Sequence, residues 1–389
     1  MNNTKAPNMS TTFVRSPGEC RESGRFALLD VLRGIAVLAV IVLHTGYHAI
    51  GHKVPIFDEA LYPIIRHFYL GVQLFFVISG YCIMGAVESA ERGPTPLLTF
   101  VRRRIQRIYP PYWLSIILMI GLATLTVGIA RKSWWDVFPL TTGDWLLNLL
   151  LLQRLFGAPD AQLPYWSLSI EVQFYILMAV CLACPRWRSL WLVALSCLYA
   201  FWVWHSPFSI SGTAMTHWPD FACGIAAYAA HHPLKFWRGI HWQLWGLSII
   251  AIAVGWSTTS QVFMDKGDFI LPIKQSFCLA FGFIVALLRR FGSVPLERAP
   301  LRSLAWVGTI SYSLYLTHVL VATRVFNVAG RFMSLDGLNW YGIAIGATIS
   351  QLLVGWLFFR YCESRWLNQA SVQSADPRIQ TTSHAVVAT

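Results

Sequence analysis

The apolar stretch LLDVLRGIAVLAVIVLH carries an arginine and a histidine eleven residues apart, Arg33 and His44. On a helix that spacing is about 16 Å, which sets them toward opposite ends of one membrane-spanning element. An ionisable group in such a segment costs about 2.5–3.5 kcal/mol on insertion scales, so each one asks for a reason. Arg33 has Asp30 one turn away as a partner; by itself it also reads as a charge snorkelling to the interface. His44 reads either as a proton acceptor or as a packed histidine bonded to a neighbouring carbonyl. A second apolar stretch, PYWSLSIEVQFYIL, holds Glu171 six residues from its start at Tyr165, and His44 lies six residues from the end of its own stretch at Ile50. The two are expected at one depth, where a carboxylate can fix an imidazole's tautomer and steady its charged form. Glu171 as a structural hydrogen-bond hub is the alternative.

Other polar residues stand in apolar surroundings. SYSLYLTH brings Tyr312, Tyr315 and His318 to a further helix, as cavity lining or as packing. GVQLFFVISG offers Gly71 and Gly80 for close helix contact and Gln73 and Ser79 for a polar-lined path. FVRRRIQRIYPPYW places four arginines within six residues, and Arg104 and Arg107 share one helical face, a spacing suited to gripping phosphates. Topology charge with lipid headgroup contact competes with that reading. Pro110 and Pro111 are expected to bend the chain there. Cys181 and Cys184 form a C-x-x-C without a second ligand pair, and no Walker loop, His-Glu-x-x-His or Gly-x-Ser-x-Gly is present. No metal is expected.

These residues sit in a chain of 389, of which 56% are hydrophobic and 12% charged, with a mean hydropathy of +0.52. Soluble domains carry about 25% charged residues, so half that share describes an all-α polytopic membrane protein. The net charge of +12 lies mostly between apolar runs, where the positive-inside rule puts it, and no basic face suggests nucleic acid. Ten spans are expected, at 27–50, 67–88, 108–130, 165–184, 189–205, 216–230, 241–256, 269–288, 303–323 and 340–359. With both termini cytoplasmic, about 20 basic residues fall inside and about 8 outside. An eleventh span at 141–156 would reverse that balance, so this segment reads as an interfacial or re-entrant piece on the outer side. Residues 1–25 form a polar cytoplasmic segment without an apolar leader, 26–365 the membrane domain, and 366–389 a disordered tail.

Five stretches together resemble the acyltransferase-3 family: LLDVLRGIAVLAVIVLH, FFVISG, RRRIQRIYP, WSLSIEVQFY and SYSLYLTH, in order along about three quarters of the chain. The family's acidic residue followed by Arg-Pro is incomplete at Glu363-Ser364-Arg365. The resemblance implies transfer of an acyl group, commonly acetyl, from cytoplasmic acyl-CoA to a hydroxyl of a surface or lipid-linked glycan, in a bacterial cytoplasmic membrane. It implies roles for Arg33 and His44 and for Arg104 and Arg107, the three arginines toward the donor. His44 would act as base with Glu171 beside it, while Tyr165, Trp166, Ser79, Tyr312 and His318 would meet substrate. A transporter or flippase lined by the same residues is the competing class. The acyl group, the acceptor and the oligomeric state are not readable from sequence.

Overall fold

The computed structural model describes residues 27–130, 140–184, 188–205, 212–230, 253, 270–290 and 299–366. Among them every regular element is helical and no strand occurs. The helices used below are α1 (Ala27–Gly46), α2 (Leu70–Glu91), α3 (Pro96–Ala130), α4 (Thr142–Leu149), α5 (Tyr165–Ala183) and α6 (Arg188–His205). They continue with α7 (Trp218–Ala229), α8 (Ile270–Arg290), α9 (Ala299–Thr309), α10 (Ser311–Ala329) and α11 (Gly337–Phe358). Four helical runs among the described residues are long and apolar enough to cross a membrane: Leu28–Ala49, Phe57–Glu91, Tyr165–Ala183 and Gly337–Trp366. The broken pair α9 and α10 passes the same test jointly. The chain is therefore a multi-pass membrane protein. The expected span 241–256 (Ala253 apart), the segment 1–25 and the tail beyond Trp366 lie outside the described residues.

Glycine lets the helices touch backbone to backbone, the usual way to associate helices where no hydrophobic drive operates. A Cβ on Gly308 of α9 would lie 1.7 Å from the Asp30 carbonyl oxygen of α1, and one on Gly34 2.2 Å from that of Leu304. Gly71 of α2 meets the Ala36 carbonyl in the same way at 2.6 Å. Helix α1 is thus clasped by α2 and α9, and the clasp fixes the rotation of Arg33 and His44. Gly80 and Gly224 join α2 to α7 by equally close approaches, at 2.2 Å from Phe221 O and 2.0 Å from Val77 O.

Two local features differ from, or refine, the sequence reading. The expected continuous span 303–323 is broken at Ile310, where α9 and α10 meet at 78°. The break exposes amides of the first turn of α10, and the buried Glu363 carboxylate accepts from the Ser313 amide at 3.1 Å and from its hydroxyl. A side chain fifty residues away does the work of a cap. The 141–156 segment contains the eight-residue α4, about 12 Å long and too short to span. A capping box of Thr141 and Asp144 starts it. At its end the carbonyls of Asn148, Leu149 and Leu150 accept from Tyr112, Trp113 and Tyr109 of α3. Helix α3 itself runs through Pro110 and Pro111.

Candidate active site

Helices α1, α2, α3, α5 and α10 enclose a cavity of about 80 Å³ whose polar lining includes Arg33, Ser79, Arg107, Glu171 and Tyr175. Glu171 accepts from the Ser79 hydroxyl at 2.9 Å and from the Tyr175 hydroxyl at 2.6 Å. Arg33 donates to Asp30 at 3.3 Å and toward the Cys82 sulfur at 3.2 Å, and shares the cavity with Glu171. Tyr312 and Tyr315 contribute their rings to the wall. Their hydroxyls are engaged elsewhere, Tyr312 with the Ile108 carbonyl at 2.9 Å and Tyr315 with the Ser167 hydroxyl at 2.6 Å. Arg107 faces this space; Arg104 does not line it. The Arg104 guanidinium lies over the rings of Tyr175, at 5.4 Å, and Phe100, at 5.8 Å, a cation–π arrangement behind the wall.

His44 finds a different partner from the one its depth suggested. Glu171 does not touch it; His318 of α10 does, with Nε2 3.0 Å from His44 Nδ1. Depth follows from residue count along a helix, but the rotation that decides which side chains meet does not. The proton positions follow from the acceptors. His318 Nδ1 is 2.8 Å from the Tyr315 carbonyl and 3.2 Å from that of Leu314. A carbonyl only accepts, so Nδ1 carries the proton and Nε2 presents a lone pair. That lone pair and the Val40 carbonyl, at 3.0 Å, both face His44 Nδ1, which must therefore be the protonated nitrogen. His44 Nε2 is left as the basic atom on a half-buried ring. His318, expected to meet substrate, is wholly buried, with both ring nitrogens bonded and one of them against His44.

A second cavity, of about 360 Å³, lies beside Trp166 and is lined also by Arg154, His217, Asp220 and Lys274. His217 Nδ1 is 3.1 Å from Asp220 Oδ2. Arg154 is ion-paired with Asp160. Burial pushes the Asp160 carboxyl up from its ordinary value, against the Arg154 guanidinium, which holds it down. Phe76 touches the linings of both spaces: it lines the first, and its ring centroid is 4.8 Å from that of His217 and 6.2 Å from that of Trp166. Tyr165, expected with Trp166 at the mouth, is wholly buried, its hydroxyl bonded to Ser115 at 2.9 Å. Successive helical residues point about 100° apart, so only one of the two reaches the cavity. His217 and Asp220 escaped the sequence reading although their spacing of one turn signals a pair.

Polar side chains gathered inside a multi-pass helical bundle suit chemistry and transport alike. Residues 26–360 match the acyltransferase-3 family, described as an acyltransferase domain, and the chain belongs to that family. It is an acyltransferase of groups other than aminoacyl, which sets the transporter alternative aside. A Komagataeibacter xylinus protein named "Putative membrane-bound transacylase BcsY" is 27% identical over 79% of this chain and 76% of its own. A Staphylococcus aureus protein named "Putative O-acetyltransferase SACOL0978" is 29% identical over 40% of this chain and 24% of its own. For the Bacillus subtilis "Putative peptidoglycan O-acetyltransferase YrhL" the figures are 31%, 38% and 22%. The match thus covers under a quarter of the length of these last two relatives. No solved structure matches the chain.

Proposed function

We propose that the protein is an O-acyltransferase that moves an acyl group, acetyl in the simplest case, from cytoplasmic acyl-CoA to a sugar hydroxyl of a surface or lipid-linked glycan. It would do so in a bacterial cytoplasmic membrane, with ten spans, both termini inside, and the 141–156 segment against the outer face. The short α4 and the names of the relatives support this reading. The observation that carries it is the fixed tautomer of His44, which leaves Nε2 as a base beyond a cavity that contains arginine.

Arg107, with Arg104 behind the Tyr175 ring, meets the phosphates of the donor, as guanidinium groups do by paired hydrogen bonds. Arg33 and Glu171 line the same space. Tyr315 lines that space and packs against His318, with ring centroids 5.6 Å apart, so the reactive end of the donor approaches His44 along Tyr315. His44 Nε2 takes the proton of the acceptor hydroxyl as its oxygen attacks the thioester carbonyl. The C–S bond then breaks, the thiolate of CoA recovers the proton, and the ester remains on the acceptor. His318 and the Val40 carbonyl hold the imidazolium through Nδ1–H in the interval. General-base help of this kind contributes about 10²–10⁴ in rate. Glu171, bonded to two hydroxyls in the space it shares with Arg33, serves as the counter-charge of the cavity.

The test is transfer of label from acetyl-CoA to glycan by the protein in lipid vesicles, with mass spectrometry of the product. His44→Ala retaining near wild-type turnover would end this mechanism. Comparing the surface glycans of a deletion strain with the parent, by mass and proton NMR, identifies the acceptor.

A further inference from the structure

The cavity beside Trp166 has no part in the steps above, yet it is larger than the one that has. We infer that it is the acceptor subsite and takes one neutral sugar ring, an assignment that rests on the acyltransfer reading just given. Four observations converge on it. Trp166 is only partly buried and presents an aromatic surface to the space, the kind of face against which the C–H groups of a pyranose pack. His217 Nδ1 meets a carboxylate, so it carries the proton and leaves Nε2 as an acceptor; Asp220 adds acceptor oxygens. Arg154 and Lys274 add donors. Donors and acceptors of both kinds around an aromatic plate suit vicinal hydroxyls.

Charge selects among sugars. Arg154 is paired with Asp160, so its guanidinium already has an anionic partner, while the neutral His217 leaves Asp220 as a negative charge on the lining. A carboxylated or phosphorylated ring would have to break a pair to gain one, whereas a neutral ring adds hydrogen bonds without that cost. A volume of about 360 Å³ is at the low end of small-molecule sites, which fits one ring better than a run of them.

Position connects the subsite to the chemistry. Phe76 is the shared element: it lines the arginine-lined cavity, and its ring packs on His217, Phe221 and Trp166. A ring held beside Trp166 sends its hydroxyl past Phe76 toward the donor, and an empty subsite leaves Phe76 between the thioester and water.

The experiment uses the full chain in nanodiscs with methyl glucoside, methyl galactoside, methyl N-acetylglucosaminide and methyl glucuronide as probes. Binding is followed by saturation-transfer NMR, and transfer is followed with labelled acetyl-CoA. At least one neutral glycoside should bind the wild type. Trp166→Ala and His217→Ala should each weaken its binding tenfold or more, with Trp166→Phe retaining most of the affinity as a control for folding. Phe76→Ala should raise acetyl-CoA hydrolysis in the absence of any glycoside. No binding by any neutral probe, preference for the glucuronide, or affinity unchanged in Trp166→Ala and His217→Ala would each overturn the assignment. A glycoside that binds through Trp166 but is never acetylated sinks the acyltransfer reading instead, so the two failures are distinct.

Discussion

Two imidazole pairs stand behind two walls of the same arginine-lined cavity, and they are built on different chemistry. Behind Tyr315, His44 leans on His318, a neutral ring whose own tautomer is pinned by two backbone carbonyls. Behind Phe76, His217 leans on the Asp220 carboxylate. The first arrangement dictates which nitrogen is basic without placing a full charge beside it. The second presents a charged, multiply accepting surface to a roomier space. A dictated lone pair suits proton transfer; a spread of donors and acceptors suits holding a ligand.

Substitutions can break or sharpen that contrast. His44→Ala should lower transfer by about 10²–10⁴, measured as labelled ester formed at saturating donor and acceptor. A loss as large at His217→Ala under the same saturation would erase the distinction between the pairs. His318→Leu removes a hydrogen bond to the charged form of His44, worth about 1.5–3 kcal/mol, and should slow turnover about ten- to a hundredfold. His318→Gln keeps an acceptor there and should recover most of the rate, a rescue that a merely space-filling role would not show. Arg107→Ala should raise the KM for acetyl-CoA about tenfold, with Arg104→Ala raising it less because its guanidinium rests on rings behind the wall. Equal effects at the two arginines would return both to the phosphate site. The smallest change is expected at Asp220→Asn, which keeps a hydrogen-bond acceptor for His217. Acceptor KM should rise a few-fold, on the order of one neutral hydrogen bond, with kcat held.

Much of the architecture was legible because membrane insertion penalises polarity. Helices α1, α2, α5 and α11 follow from long, mainly apolar runs, and Arg33, Ser79 and Glu171 stand out as polar residues within them; all three line one cavity. What stayed hidden was rotation about each helix axis. His44 and Glu171, expected at one depth, share no contact, and Tyr165 and Trp166 are neighbours that face apart. The break at Ile310 was illegible for another reason. No proline interrupts 303–323, and the group that makes the break tolerable is Glu363, fifty residues farther on. His217 closes the turn just before the short α7 and Asp220 lies in its first turn, so no long apolar run frames the pair as it frames Arg33 or Glu171.

The Glu363 contact sets an order of assembly. Helix α10 carries Tyr312, Tyr315 and His318, yet its first turn is seated by a carboxylate that leaves the ribosome only after α11 has been made. A nascent chain therefore holds its arginines and His44 in the bilayer before the ring that aims His44 can settle. The proposed reactive centre is thus completed last, by the end of the described chain closing back on its middle.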